Sequence, residues 1–270
     1  MATFADRLGG FPRWVTEAYW IETRGSIFTA PVHPSALRRA MATARALIPQ
    51  VAAQTGTTAP EVEGWLDQLR RGRLAQEIRA RCPQASGMGS PNAELLYVFV
   101  RAVRPQVVVE TGVELGVSSA YFLQGLKDNG AGDLWSIDLP TVGASAGRVN
   151  QDGRLDQSHV GSLEQVGQAV PERLRGHWHL SLGDAKELLP KLEAPAPWDI
   201  FFHDSDHSRA HMMWEYETAW PRLRPGGFLL SDDVPNNDAF VTFAANVGEP
   251  PFLWLRRGSL RKSPPPPGAG

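Results

Sequence analysis

The sequence predicts an α/β protein, a doubly wound parallel sheet preceded by a helical extension. Three observations point there: an ordinary globular composition, helical patterning over residues 1–84, and a later alternation of short apolar strands with helical segments. A chain of 270 residues, 42% hydrophobic and 21% charged, is large enough for one full-size α/β domain and an added helical segment.

Residues 1–84 carry helical periodicity over 36–53 and 61–80, punctuated by Pro, Gly and Thr. Arg70, Arg71 and Arg73 lie between Asp67 and Glu77, so this basic run reads as a solvated helix face rather than a phosphate site. Ser90, Pro91 and Asn92 then start a helix over 93–103. Strands are expected at 107–111, 133–138, 178–182, 198–202 and 227–231, with a helix over 118–127 and further helical segments between most of the others. Such apolar strands in β-α units belong to a sheet covered on both faces, where ligands bind beyond the carboxyl ends of the strands. The expected organisation is a helical extension over 1–84, a ligand-binding domain over 85–262 and a disordered Pro/Gly tail over 263–270.

A net charge of -2 supplies no positive field for nucleic-acid binding. The single cysteine, Cys82, can form neither an intrachain disulfide nor a thiolate zinc site. Charged residues interrupt the first thirty positions, and the longest apolar runs, such as 95–100, are too short to cross a membrane. A cytoplasmic protein with no membrane partner is expected.

At 109–119 a strand turns into a helix through Glu110, Gly112, Glu114, Gly116, Ser118 and Ser119. Glycine lets a backbone approach a ligand, and a helix start offers unpaired N–H groups. The spacing is G-x-x-x-G, not the G-x-G-x-x-G that cradles a dinucleotide pyrophosphate. Asp138 ends the second strand, where a carboxylate can accept both hydroxyls of a ribose. Asp184 follows the third strand and can receive an adenine amino group. Either acid alone is equally a turn residue or a helix cap.

The densest cluster is Asp199-Ile-Phe-Phe-His203-Asp204-Ser-Asp206-His207, with Asp232-Asp233 beyond the fifth strand. Neighbouring fourth and fifth strands would bring Asp204, Asp232 and Asp233 together, and converging buried carboxylates repel one another. A divalent cation would relieve that conflict, and an all-oxygen set suits Mg²⁺. Histidine after a strand is commonly a surface or capping residue; beside three acids, His207 reads as a general base. His203 alternates to the other side of the strand and reads as structural. His211 and Glu215 read as an exposed helix pair, and Met212, Tyr216 and Trp220 as one core-facing stripe.

The order E-x-G-x-x-x-G-x-S, Asp138 and Gly183-Asp184-Ala185 resembles the class I methyltransferase family over roughly residues 86–257. The resemblance implies a Rossmann-like methyltransferase sheet binding S-adenosyl-L-methionine. Glu110, Gly112, Glu114, Gly116 and Ser118 would surround its methionine part, Asp138 its ribose, and Asp184 with Ala185 its adenine, with Asp204 also beside the cofactor. The stretch Gly87-Met88-Gly89-Ser90 is similar to the segment that covers the cofactor in catechol and caffeoyl-CoA O-methyltransferases, which adds Met88 and Ser90. F-x-D-x-D-H and S-D-D resemble the metal-dependent O-methyltransferases, and more closely a bacterial branch that methylates sugars and other natural products. That implies Asp204, Asp232 and Asp233 as Mg²⁺ ligands, His207 as catalytic base, and a small-molecule hydroxyl as acceptor. Residues 1–84 would complete the acceptor pocket or form a subunit contact in a homo-oligomer. The alternatives are a metal-independent methyltransferase, an NAD-linked oxidoreductase and a cofactor-binding protein without catalysis.

Overall fold

The computed structural model describes residues 46–83, 91–140 and 160–264. Residues 46–55 form helix α1, followed by α2 (Ala59–Arg71), α3 (Leu74–Arg81) and α4 (Pro91–Val103). The helix expected over 61–80 is therefore two. A capping box between Thr58 and Glu61 starts α2, and Gly72 leaves the helical conformation to end it. Buried Val51, Leu66, Leu74, Ile78 and Cys82 of this segment share one apolar cluster with α4 and the sheet. The described part of the extension thus has no separate core. Arg70, Arg71 and Arg73 are exposed as expected, although Arg70 makes a two-point ion pair with Glu94 of α4, at 3.0 and 2.6 Å.

The sheet begins with β1 (Val107–Thr111), then α5 (Val117–Asn129), β2 (Asp133–Asp138), β3 (Trp178–Leu182), the short α6 (Ala185–Leu188), β4 (Trp198–His203), α7 (Arg209–Ala219) and β5 (Leu223–Ser231). These five expected strands run parallel. Helix α8 (Ala239–Val247) leads to two strands not foreseen, β6 (Phe252–Trp254) and β7 (Arg257–Arg261), which add an antiparallel edge. The strand order is β3-β2-β1-β4-β5-β7-β6. Alternation along the strands sorts the core: Val108, Leu134, Ile200, Phe202 and Leu230 face α4 and α5, whereas Val109, Ile137, Phe201 and Leu229 face α7 and α8. Met212 and Tyr216 are buried in the second cluster and Trp220 packs against it, which is the core role expected of that stripe. Ser263 is fastened by its N–H and hydroxyl to Glu249 at 2.7 and 2.9 Å, so the ordered chain runs one residue or more into the expected tail. Residues 265–270 lie outside the described residues.

The order in which strands are added to the sheet reverses between β1 and β4, the place where a doubly wound sheet opens a crevice. Two contacts close the sheet just below it. Asp204 N–H donates to Thr111 O at 2.8 Å, and Gly112 N–H donates to Ile137 O at 2.9 Å. Gly112 has φ +82°, and a Cβ there would stand 2.0 Å from the Asp204 carbonyl oxygen. The neighbour that demands glycine at 112 is thus the backbone of the next loop, a correction to the expectation that it clears space for a ligand.

Glu110 is likewise a fold residue. It is completely buried, and its two oxygens accept from Ser118 Oγ (2.6 Å), Ser119 Oγ (2.6 Å) and Ser136 Oγ (2.8 Å). These bonds pin β1 to the first turn of α5 and to β2. Glu110 and the buried Ser118 were expected against the cofactor; instead each satisfies the other, and they hold the turn that a ligand would meet.

Two expectations follow. Gly112→Ala should lower the unfolding free energy by about 2–4 kcal/mol, because left-handed strain is joined by backbone overlap. Gly130→Ala, at φ +73° with nothing within 4 Å, should cost only the strain, roughly 1–2 kcal/mol. Equal losses in denaturant unfolding would contradict the packing account. Burial pushes the Glu110 carboxyl up to about 7, against the pull of the three serine hydroxyls. A carboxyl raised on folding contributes stability that is complete below its ordinary value, 4.5, and is lost as pH rises through about 7. The stability difference between wild type and Glu110→Gln should therefore shift against the wild type between about pH 4.5 and pH 7. A difference that stays constant across that range would show that the carboxyl does not titrate there.

Candidate active site

The turn after β1 is built from backbone conformation. Glu114 has φ +51° and Gly116 φ +84°, and Gly116 caps α5. A Cβ on Gly116 would lie 2.7 Å from Gly167 Cα, so the turn is packed from behind as well. Asp138, at the end of β2, accepts from Glu114 N–H at 3.0 Å. The structure thus brings Gly112, Glu114, Gly116 and Asp138 to one place.

Asp184 lies beyond the next strand. It caps α6, accepting from Lys186 N–H at 2.8 Å, with Ala185 buried behind it. The capping alternative is therefore realised at Asp184. Asp138 and Leu182 are register partners on β2 and β3. Leu139 and Leu182 are 44% and 47% exposed, two of the three large exposed apolar side chains among the described residues. An open apolar surface beside two carboxylates suits a flat heterocycle with a polar rim. Met88 and Ser90 lie outside the described residues.

The second group sits beyond β4 and β5, which are adjacent and parallel as expected. Asp232 N–H donates to His203 O at 2.8 Å, carrying the pairing past the strand ends. Asp204 and Asp232 meet side chain to side chain. Burial, then the Asp232 carboxylate, pushes Asp204 well above the usual carboxylate range, against Arg257. Burial acts on Asp232 too, but Arg257 and His207 outweigh it and hold that carboxyl at about 2. Asp204 is thus the member of the pair that keeps its proton more readily. His207 Nε2 lies 3.7 Å from Asp204 Oδ1 and 3.8 Å from Asp233 Oδ2, while its Nδ1 is buried. Asn237 holds this loop in place by donating to His207 O at 2.9 Å.

Sequence reasoning missed two arginines. Arg257 Nε bonds Asp232 Oδ1 at 2.6 Å, and its guanidinium lies 5.3 Å over the Phe202 ring. Arg256 pairs with Asp233 Oδ1, and Asn236 donates to the other oxygen at 3.1 Å. Arg257 opens the unforeseen β7, and Arg256 lies in the turn just before it. Among the described residues, no three His, Cys, Asp or Glu side chains are arranged to hold a metal ion. Asp204, Asp232 and Asp233, the residues expected to hold Mg²⁺, do converge, and arginine guanidinium groups bring positive charge to Asp232 and Asp233. Two adjacent arginines between apolar runs, on a chain with an uncompensated acidic trio, were the available signal.

His211 and Glu215 also depart from expectation. They are not an exposed pair: both are buried, and His211 Nε2 lies 2.9 Å from Glu215 Oε1.

Residues 109–234 match a family model described as a methyltransferase domain. The matched span runs from within β1 to just past Asp233, and so contains both halves of the site. No curated protein matches the chain. Among solved structures, the SAH-bound methyltransferase PaMTH1 of Podospora anserina shares 15% identity over 89% of this chain and 100% of its own, with a TM-score of 0.51. The O-methyltransferase of Bacillus cereus in complex with SAH shares 16% identity over 74% of this chain and 100% of its own, with a TM-score of 0.48. The O-methyltransferase TomG of Streptomyces achromogenes shares 17% identity over 70% and 89%, with a TM-score of 0.47. Likeness at such identity is one of fold. Over residues 109–234 the chain is thus similar to a methyltransferase domain, and its seven-stranded sheet has a doubly wound α/β fold.

Proposed function

We propose that this chain transfers the methyl group of S-adenosylmethionine to a hydroxyl of a small molecule, a sugar moiety or another natural product, with His207 as general base. The observation that carries the reading is His207 Nε2, held between Asp204 and Asp233 beyond the carboxyl ends of β4 and β5.

The turn through Glu114 and Gly116 would hold the methionine part, Asp138 the ribose, and the surface of Leu139, Leu182 and Asp184 the adenine. The bound cofactor supplies an electrophilic methyl on a sulfonium. A hydroxyl is a poor nucleophile while it keeps its proton, so the acceptor needs a base within hydrogen-bond reach. His207 Nε2 takes that proton as the oxygen bonds to the methyl carbon, and the sulfur keeps the electrons of the broken bond. The products are the methyl ether, S-adenosylhomocysteine and a protonated His207. Asp233, 3.8 Å away, stabilises the imidazolium as it forms. Holding oxygen and methyl in line accounts for much of the rest, an effect worth up to roughly 7–11 kcal/mol in well-oriented systems.

Mg²⁺ has no part in this reading, because Asp232 and Asp233 each hold an arginine. A net charge of -2 supplies no positive field for a phosphodiester backbone, which favours a small acceptor over a nucleic acid.

His207→Ala should lower turnover by about 10² to 10⁴ while affinity for S-adenosylhomocysteine stays near that of the wild type. Excess EDTA should leave wild-type turnover unchanged. Full turnover in His207→Ala would remove the base, and activity lost in EDTA and restored by Mg²⁺ would overturn the arginine countercharge.

A further inference from the structure

A second polar cluster lies directly behind the candidate base, and its side chains have no part in the proposed methyl transfer. His203, the last residue of β4, is completely buried, with Nδ1 2.6 Å from Glu215 Oε2. Glu215 of α7, equally buried, also accepts from Thr111 Oγ1 at 2.6 Å and Ser205 Oγ at 2.8 Å, and meets His211 Nε2 at 2.9 Å. One carboxylate thus ties together the end of β1, the end of β4, the following loop and α7. Burial alone would raise its pKa, but His203 and His211 outweigh burial and hold it well below the usual carboxylate range.

An ionised carboxylate only accepts, so the nitrogen of His203 that faces it carries a hydrogen. In the neutral ring that hydrogen sits on Nδ1, and Nε2 is the acceptor. This Nε2 is buried without a hydrogen-bond partner. The same holds for one other histidine nitrogen among the described residues, His207 Nδ1. The two rings meet edge to face, centroids 5.3 Å apart at 85°. One donor facing one acceptor, directly or through a single water, satisfies both orphaned nitrogens.

We propose that Glu215 and His203 form a positioning chain that fixes the tautomer of His207. Glu215 accepts from His203 Nδ1–H, and His203 Nε2 accepts from His207 Nδ1–H. The lone pair of His207 then stands on Nε2, the nitrogen facing Asp204 and Asp233. His203 touches no reacting atom and passes no proton on; it selects which nitrogen of its neighbour is the base. The chain rests on the reading of His207 as base, but the tautomer can be read without any substrate.

The test is ¹⁵N NMR of histidine-labelled full-length protein, with the His207 signals identified by their loss in His207→Ala. Wild-type His207 should be the Nδ1–H tautomer. In His203→Phe the two tautomers should mix, and kcat should fall at least about tenfold with KM little changed. His203→Gln places an amide oxygen near the lost Nε2 and should restore most of both. A wild-type His207 in the Nε2–H form overturns the proposal, and so does a folded His203→Phe that keeps the wild-type tautomer. If His203→Phe does not fold, the wild-type spectrum and His203→Gln decide. A correct tautomer with undiminished turnover in His207→Ala would retain the chain and discard the base.

Discussion

The site depends on how closely β1 and β4 can approach at their carboxyl ends. Gly112 has no side chain there, so the carbonyl of Asp204 occupies the space a Cβ would fill, and Thr111 O accepts from Asp204 N–H. That contact sets two loops back to back. One turns into α5 and presents Glu114, Gly116 and, through Glu114 N–H, Asp138. The other presents Asp204 and His207 beside the ends of β5. A methyl donor and an acceptor need such an arrangement, with two binding surfaces meeting along one line.

Around this contact three acidic groups, Glu110 and Glu215 fully buried and Asp232 partly exposed, are satisfied in three ways. Glu110 is bonded by three serine hydroxyls, which are too weak as donors to keep its pKa down. Glu215 meets two histidines and two hydroxyls, and stays ionised. Asp232 depends on Arg257, a permanent charge. Hydrogen bonds to a charged group contribute about 1.5–3 kcal/mol each, whereas leaving a buried charge unpaired costs several. The first two networks fasten strands and helices, and the third lies at the mouth. Structural rigidity and site chemistry are thus assigned to different carboxylates a few residues apart.

Much of this was legible in sequence. The five parallel strands announce themselves as apolar runs, and the strand-end acids Asp138, Asp204, Asp232 and Asp233 follow from where those runs stop. What could not be read depends on distant partners. Glu110 sits in a motif that suggests ligand contact, and only the positions of Ser119 and Ser136 show its oxygens to be consumed. His211 and Glu215 have the spacing of an exposed helix pair, yet Thr111, His203 and Ser205 draw Glu215 inward from other elements. β6 is three residues long and carries no usable periodicity, so the hairpin that delivers Arg256 and Arg257 was invisible, and with it the countercharge for the acidic trio.

The account stands or falls on the nucleoside end of the crevice, where a G-x-x-x-G turn and Asp138 are taken to hold a methionine-linked nucleoside rather than a dinucleotide. Calorimetric titration of the protein with S-adenosylhomocysteine and, separately, with NADH tests this directly. S-adenosylhomocysteine should bind once per chain, NADH should not, and Asp138→Ala should weaken binding by about 1.5–3 kcal/mol in a protein that remains folded. Binding of NADH without S-adenosylhomocysteine, or an affinity untouched by Asp138→Ala, would contradict it.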